Sequence, residues 1–211
     1  MEQSAADATG HFRTRAGRRH GSVWETSQKG SWRKATAALR IHGVSTLAID
    51  IRPARLQDAE AITAVHDEAW RTAYLGIIPG GTLARMINRR GVEWWEGAID
   101  RGSRIQVVTV AGVLAGYGSF GRNRALALSA GGEIYELYVR PDYQGMGLGR
   151  RLFTSCRREM AGRGLDGLAV WALAENDLAC AFYRALGGVA AARGTERFGD
   201  RTLDKIAFTW S

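Results

Sequence analysis

The sequence predicts an α/β domain of the α+β type, with a mixed, largely antiparallel central sheet flanked by helices. Strand-like and helix-like segments interleave from Ile49 to Trp210, the signature of a sheet covered by helices. Ala111-Gly112 and Gly199-Asp200 join strand-like runs through turns too short for anything but antiparallel hairpins. The composition agrees: 45% hydrophobic residues with 27 Gly, 3 Pro and 2 Cys excludes wholesale disorder, a collagen-like repeat and a disulfide scaffold.

Taken in order, Ile49-Asp50-Ile51-Arg52 alternates as a strand and stops at Pro53, which cannot donate to a ladder. Residues 56–74 repeat Ile62, Val65, Ala69 and Ala73 at three- and four-residue steps, with Asp58 and Glu60 near the positive N-terminal end. Ile77-Ile78-Pro79-Gly80-Gly81 breaks that helix, and two more are predicted over residues 83–89 and 92–100. The second carries Trp94 and Trp95 side by side, so only one should face inward. Strands follow at 104–110, 113–119 and 133–140, then a turn at Pro141-Asp142 and a glycine-rich loop. A helix over 152–160 ends near Gly162 and Gly164, a strand covers 168–173, and a helix over 177–186 stops at Gly187-Gly188. Strands at 189–198 and 202–210 close the chain, and no repeat of 20 to 50 residues is visible.

The formal net charge of +8 is unevenly spread. Residues 1–48 carry eight basic and three acidic residues, hence +5, and the rest carries +3. That leading segment is rich in Ser, Thr, Gly and Arg, has no hydrophobic period, and is predicted to be disordered. It lacks the apolar stretch of a secretory or twin-arginine signal. Its basic residues, interleaved with Trp24 and Trp32, have the chemistry to hold single-stranded nucleic acid, but a solvated tail without a partner is the simpler expectation. A valine start at Val44, leaving the segment untranslated, is a further one. No run approaches the ~18 apolar residues of a membrane span. Cys156 and Cys180 have no metal-ligand spacing, so neither a membrane nor a metal is expected and a reducing cytoplasm fits.

Gln144-Gly145-Met146-Gly147-Leu148-Gly149-Arg150-Arg151 lies between strand and helix, where glycines admit close backbone approach and unpaired helix N–H groups point outward. Such a loop binds phosphate. A dinucleotide loop would need glycine at position 150, where arginine stands, and a nucleoside triphosphate loop would need a following lysine that is missing.

The pattern Gln144-x-x-Gly147-x-Gly149, after Glu133-Ile134-Tyr135-Glu136-Leu137-Tyr138-Val139-Arg140-Pro141-Asp142, resembles the acyl-coenzyme A site of the GNAT superfamily of N-acetyltransferases. A second block, Asn176-x-x-Ala179-x-x-Phe182-Tyr183 with Leu186-Gly187, continues the resemblance, which spans roughly residues 49–211. It implies acetyl-coenzyme A as co-substrate, with Gln144, Gly145, Met146, Gly147, Leu148, Gly149 and Arg150 at its pyrophosphate. It also implies Leu137, Tyr138, Val139 and Asn176 along the pantetheine, the Val139 N–H serving as oxyanion donor.

The resemblance makes Tyr183 the general acid. A phenol of pKa ~10 gives its proton to a thiolate of pKa ~8.5 at a cost of only ~2 kcal/mol; the alternative is a core tyrosine beside Phe182. Glu133 is the preferred base, with Glu136 or a water chain as alternatives. In a regular strand the two carboxylates point to opposite faces. Trp70 and Tyr74, in a segment similar to A-W-x-x-A-Y-x-G-I-I-P of one GNAT group, line the acceptor pocket or pack in the core. The implied activity is direct acetyl transfer in a ternary complex to a small-molecule primary amine. A peptide or protein amine, or a non-catalytic acyl-coenzyme A sensor, is the alternative, and the oligomeric state stays open, a homodimer included.

Overall fold

A computed structural model of the chain describes residues 48–211. The basic segment predicted over residues 1–48 therefore lies, but for its last residue, outside the described residues, and with it the expectations for Trp24, Trp32 and Val44. Seven strands form one sheet in the order β1-β2-β3-β4-β5-β7-β6. They are β1 (Ile49–Pro53), β2 (Arg104–Val110), β3 (Val113–Arg122), β4 (Gly132–Val139), β5 (Leu168–Leu173), β6 (Val189–Phe198) and β7 (Arg201–Trp210). Every neighbouring pair is antiparallel except β4 with β5, as the mixed, largely antiparallel expectation required. Among the described residues no helix is long and apolar enough to cross a membrane.

Helices cover both faces. One side carries α1 (Ala59–Tyr74), α2 (Gly80–Asn88) and α3 (Val92–Asp100); the other carries α4 (Leu148–Ala161) and α5 (Asp177–Ala185). Apolar periodicity explains the seating. In α1, Ile62, Val65, Ala69 and Trp70 are buried, and in α4, Leu148, Leu152, Phe153, Cys156 and Met160 are. Trp95 is 1% exposed and Trp94 half-buried, so one of the adjacent pair faces inward. The β2–β3 hairpin turns at Ala111 and Gly112 with φ of 50° and 82°, the pair of positive values a two-residue turn demands.

Several boundaries differ from expectation, those of α2, α4 and β3 among them. Helix α2 begins at Gly80, inside the stretch read as a break, because Pro79 precedes its first turn and accepts from the Thr82 and Leu83 N–H groups. Helix α4 begins at Leu148, so Gly149 and Arg150 belong to the helix. Strand β3 runs on to Arg122.

Two departures from regular pairing shape the site. Strand β4 pairs with β5 only through Gly132, Ile134 and the residue between them; beyond, β5 stays with β7 while β4 stays with β3, so the two parallel strands part. Between Glu136 and Ile134 the β3–β4 register slips, leaving Tyr135 as the extra residue of a bulge.

Candidate functional site

The parting of β4 from β5 leaves backbone groups without a strand partner. The Arg140 N–H donates to Ala115 O on β3 at 2.8 Å. Successive N–H groups alternate along a strand, so those of Val139 and Leu137 point the other way, into the gap. At the mouth of the gap the chain turns through Pro141–Tyr143 into the glycine loop. There the Gln144 side chain donates from Nε2 to Val139 O at 3.1 Å, tying loop to strand.

Gly145 and Gly147 both hold φ of 76°, a left-handed backbone that costs other residues about 1–2 kcal/mol. Gly147 is also the residue before the first turn of α4, and no side chain caps that turn. The first N–H groups of α4 are therefore available to an anion, with the helix dipole behind them. Gly149 has a different reason to be glycine: a Cβ there would lie 3.2 Å from the Phe182 ring of α5. Gln144 through Gly147 are exposed, and the side chain of Arg150, also exposed, reaches Ala185 O at 3.4 Å. Asn176 caps α5, its Oδ1 accepting from the Ala179 N–H at 3.1 Å. A phosphate-bearing, extended ligand with hydrogen-bonding amides fits this cradle of free amides, glycines and an open strand edge.

Tyr183 lies on the α5 side, 6% exposed, packed against Phe182, Phe208 and Trp210. The packing expected of a core tyrosine beside Phe182 is present. Burial raises its phenol pKa, and Tyr74, from the opposite face, raises it further. A phenol raised in this way gives up its proton at a higher cost than an ordinary one.

On the α1 side the residues gather into a polar, aromatic nest. His66, Trp70 and Tyr74 recur at four-residue steps on α1 and meet Tyr117 and Tyr138 from β3 and β4. Tyr74 and Tyr138 share a 2.8 Å hydrogen bond between hydroxyls. His66 Nδ1 and the Tyr117 hydroxyl are 2.8 Å apart, and that hydroxyl donates to Glu136 Oε2 at 3.3 Å, as does Ser119 Oγ at 3.4 Å. The other Glu136 oxygen, Oε1, forms an ion pair with Arg90 from the turn between α2 and α3. The Arg90 guanidinium lies 4.7 Å from the Trp94 ring centroid, with Trp70 and Trp95 at 5.9 and 6.0 Å. Burial works against its charge, yet the Glu136 carboxylate outweighs burial and raises its pKa. Burial drives His66 down to about 4 and Tyr74 up to about 12, and lifts Tyr117 and Tyr138 well above the ordinary phenol value. At neutral pH the histidine is uncharged and the three phenols are protonated.

The expectation that Glu133 and Glu136 face opposite sides is corrected by the bulge. Ile134 and Leu137 both join the core beneath α4, so the carboxylates beside them both turn to the α1 side. They are not equivalent there. Glu133 is 3% exposed, with Oε2 accepting from the Arg124 backbone N–H at 2.9 Å and Oε1 from its guanidinium at 2.7 Å. It closes the loop after β3. Sequence reasoning missed Arg90, Tyr117, Ser119, His66 and Arg124. Only His66 had a local signal, the four-residue spacing it shares with Trp70 and Tyr74.

Comparison with known proteins agrees with this geometry. A family model described as acetyltransferase (GNAT) family matches residues 62–187. The uncharacterized N-acetyltransferase YuaI of Bacillus subtilis is 26% identical over 162 residues, 77% of this chain and 92% of its own. The L-amino acid N-acyltransferase MnaT of Escherichia coli is 29% identical over 145 residues, 69% of this chain and 82% of its own. A solved structure of yncA, a putative acetyltransferase from Salmonella typhimurium with acetyl-CoA, superimposes with a TM-score of 0.58 at 26% identity, covering 77% of this chain and 93% of that one. About three quarters of the described residues fall within the matched family region, glycine loop and parted strands included, and the chain belongs to the acetyltransferase (GNAT) family as an acetyl-CoA-dependent enzyme.

Proposed function

We propose that the chain acetylates the primary amine of a small molecule by direct attack in a ternary complex. The observation that carries this reading is the gap between β4 and β5, with an anion cradle at its mouth and the half-buried Glu136 nest on its α1 side. The thioester of acetyl-CoA supplies the acetyl group. Amides of Gly147 through Arg150 bind its pyrophosphate, helped by the Arg150 charge, and Gln144, Gly145 and Met146 shape the loop. Leu137, Tyr138 and Asn176 flank the pantetheine arm, and the Val139 N–H is oriented to donate to the thioester carbonyl oxygen as charge grows there.

Glu136, rather than the Glu133 that the sequence favoured, is the base in this proposal. Both carboxylates have both oxygens held, but Glu133 is turned to Arg124 in the loop after β3, whereas Glu136 keeps 10% of its side chain exposed among the rings that would wall an acceptor. The amine gives its proton to Glu136, an N–C bond forms, the C–S bond breaks, and the departing thiolate takes the Tyr183 proton. Trp70 and Tyr74 form the acceptor wall. A small-molecule acceptor is supported by the E. coli relative, an L-amino acid N-acyltransferase. The cytoplasm is the proposed compartment, in keeping with two buried free cysteines.

Coenzyme A release measured across a panel of amines tests the activity. Glu136→Gln should lower kcat by at least about 10²-fold, and Tyr183→Phe by a comparable factor. Glu133→Gln should instead cost about 1.5–3 kcal/mol of stability through lost charge-assisted hydrogen bonds, with kcat largely kept. The reverse pattern between the two glutamates would reassign the base.

A further inference from the structure

We infer that the acceptor is an α-amino acid and that Arg90 selects it by its carboxylate, an inference that rests on the α1-side nest being the acceptor side. Arg90 carries five N–H donors in a planar fork, and among the described residues Glu136 is the only hydrogen-bond partner of that guanidinium. Its backbone is held in the turn by the Arg90 N–H to Ile87 O at 3.0 Å, with Gly91 opening α3 behind it. The fork is thus delivered from an anchored turn with most of its donors unspent. Glu136 is supported on Oε2 by the Tyr117 and Ser119 hydroxyls and meets Arg90 through Oε1. Both side chains keep an opening to solvent, 22% for Arg90 and 10% for Glu136.

The nest therefore presents one cation and one anion side by side. A zwitterion has the matching pair, an ammonium and a carboxylate separated by one carbon. Laid alongside, its ammonium meets Glu136 and its carboxylate takes the free edge of the guanidinium, a fork-to-carboxylate match that a lysine could not offer. A simple amine would meet Glu136 and return nothing to Arg90, and such sites reject analogues because a half-buried charge is left with an incomplete shell. A peptide N-terminus fails similarly, since an amide stands where the carboxylate should be. The rings of Trp70, Tyr74 and Tyr138 suit an apolar or aromatic side chain.

The test compares L-phenylalanine, its amide and phenylethylamine on the full-length protein with acetyl-CoA. Turnover is followed by coenzyme A release, and binding by calorimetry in the presence of coenzyme A. The amino acid should be favoured over both analogues by about 10²-fold or more in kcat/KM. Arg90→Gln should erase that preference by weakening amino-acid binding, and Arg90→Lys, which keeps the charge without the fork, should fall between. Equal use of the three acceptors by the unaltered protein overturns the inference without relying on any variant. So does a folded Arg90→Gln protein that loses the acid and the amine in equal measure, and so does coenzyme A binding with no amino-acid binding. Failure of coenzyme A itself to bind would strike at the donor site instead, and is read separately in the same calorimeter.

Discussion

Beneath α4 and α5 the sheet buries an almost wholly apolar cluster, Val108, Ile134, Leu148, Leu152, Phe153, Cys156 and Met160 among its members. On the other face, the same strands β3 and β4 bury Tyr117 and carry the half-buried Glu136, which meet His66 from α1 and Arg90 from the turn after α2. The contrast follows from what each face must do. A loop that offers backbone amides to an anion gains nothing from side-chain chemistry beneath it, only rigidity, and close apolar packing supplies that. A face proposed to move a proton needs a carboxylate, and a carboxylate drawn out of water needs partners. The Tyr117 and Ser119 hydroxyls and the Arg90 guanidinium around Glu136 meet that need.

The largest expected effect lies on the apolar face. Leu152 is fully buried against the sheet, so Leu152→Ala should cost about 2–5 kcal/mol of stability by urea denaturation. Surviving folded enzyme should keep its preference among acceptors. A change in that preference would mean the faces are not separable.

Next comes the pH dependence of the polar face. His66 titrates at about 4 when folded, because burial disfavours its charged form, against an ordinary 6.5. The unfolded chain therefore binds the proton first, and stability present above pH 6.5 is lost as pH falls toward 4. Its contribution amounts to about 3 kcal/mol over that window. His66→Gln should flatten the profile there while lowering stability at neutral pH through the lost Tyr117 hydrogen bond. An unchanged slope would show that His66 is not the titrating group.

How much of this was legible in sequence differs between the faces. The apolar face was readable because its rules are local: period in α4, glycines at 145, 147 and 149, and the helix that follows. The charge of the polar face was not. Arg90 sits in a turn whose residues looked like a connection between helices, and it reaches Glu136 from 46 residues away. The orientation of Glu133 failed for a sharper reason: strict alternation was assumed across Tyr135, and one bulged residue reverses it. Neither the parting of β4 from β5 nor the bulge leaves a pattern in β4 itself, because both are set by how far neighbouring strands keep pairing.

The smallest effect separates backbone geometry from packing within the glycine loop. At Gly147 a new Cβ would meet nothing within 4 Å, so Gly147→Ala suffers only from its φ of 76°. It should cost about 1–2 kcal/mol. That strain can be relieved by letting the loop leave the cradle conformation, which needs no change in the core beneath. The cost should accordingly appear as a KM for acetyl-CoA raised about tenfold with kcat and acceptor preference little altered, measured by steady-state kinetics. Gly149→Ala has normal backbone but places its Cβ 3.2 Å from the Phe182 ring, so it should act through α4–α5 packing and lower the melting temperature as well. If Gly147→Ala instead lowered kcat with KM unchanged, the loop would be acting on the reacting atoms rather than on cofactor affinity, and the division between an apolar holding face and a polar reacting face would fail at its most sensitive point.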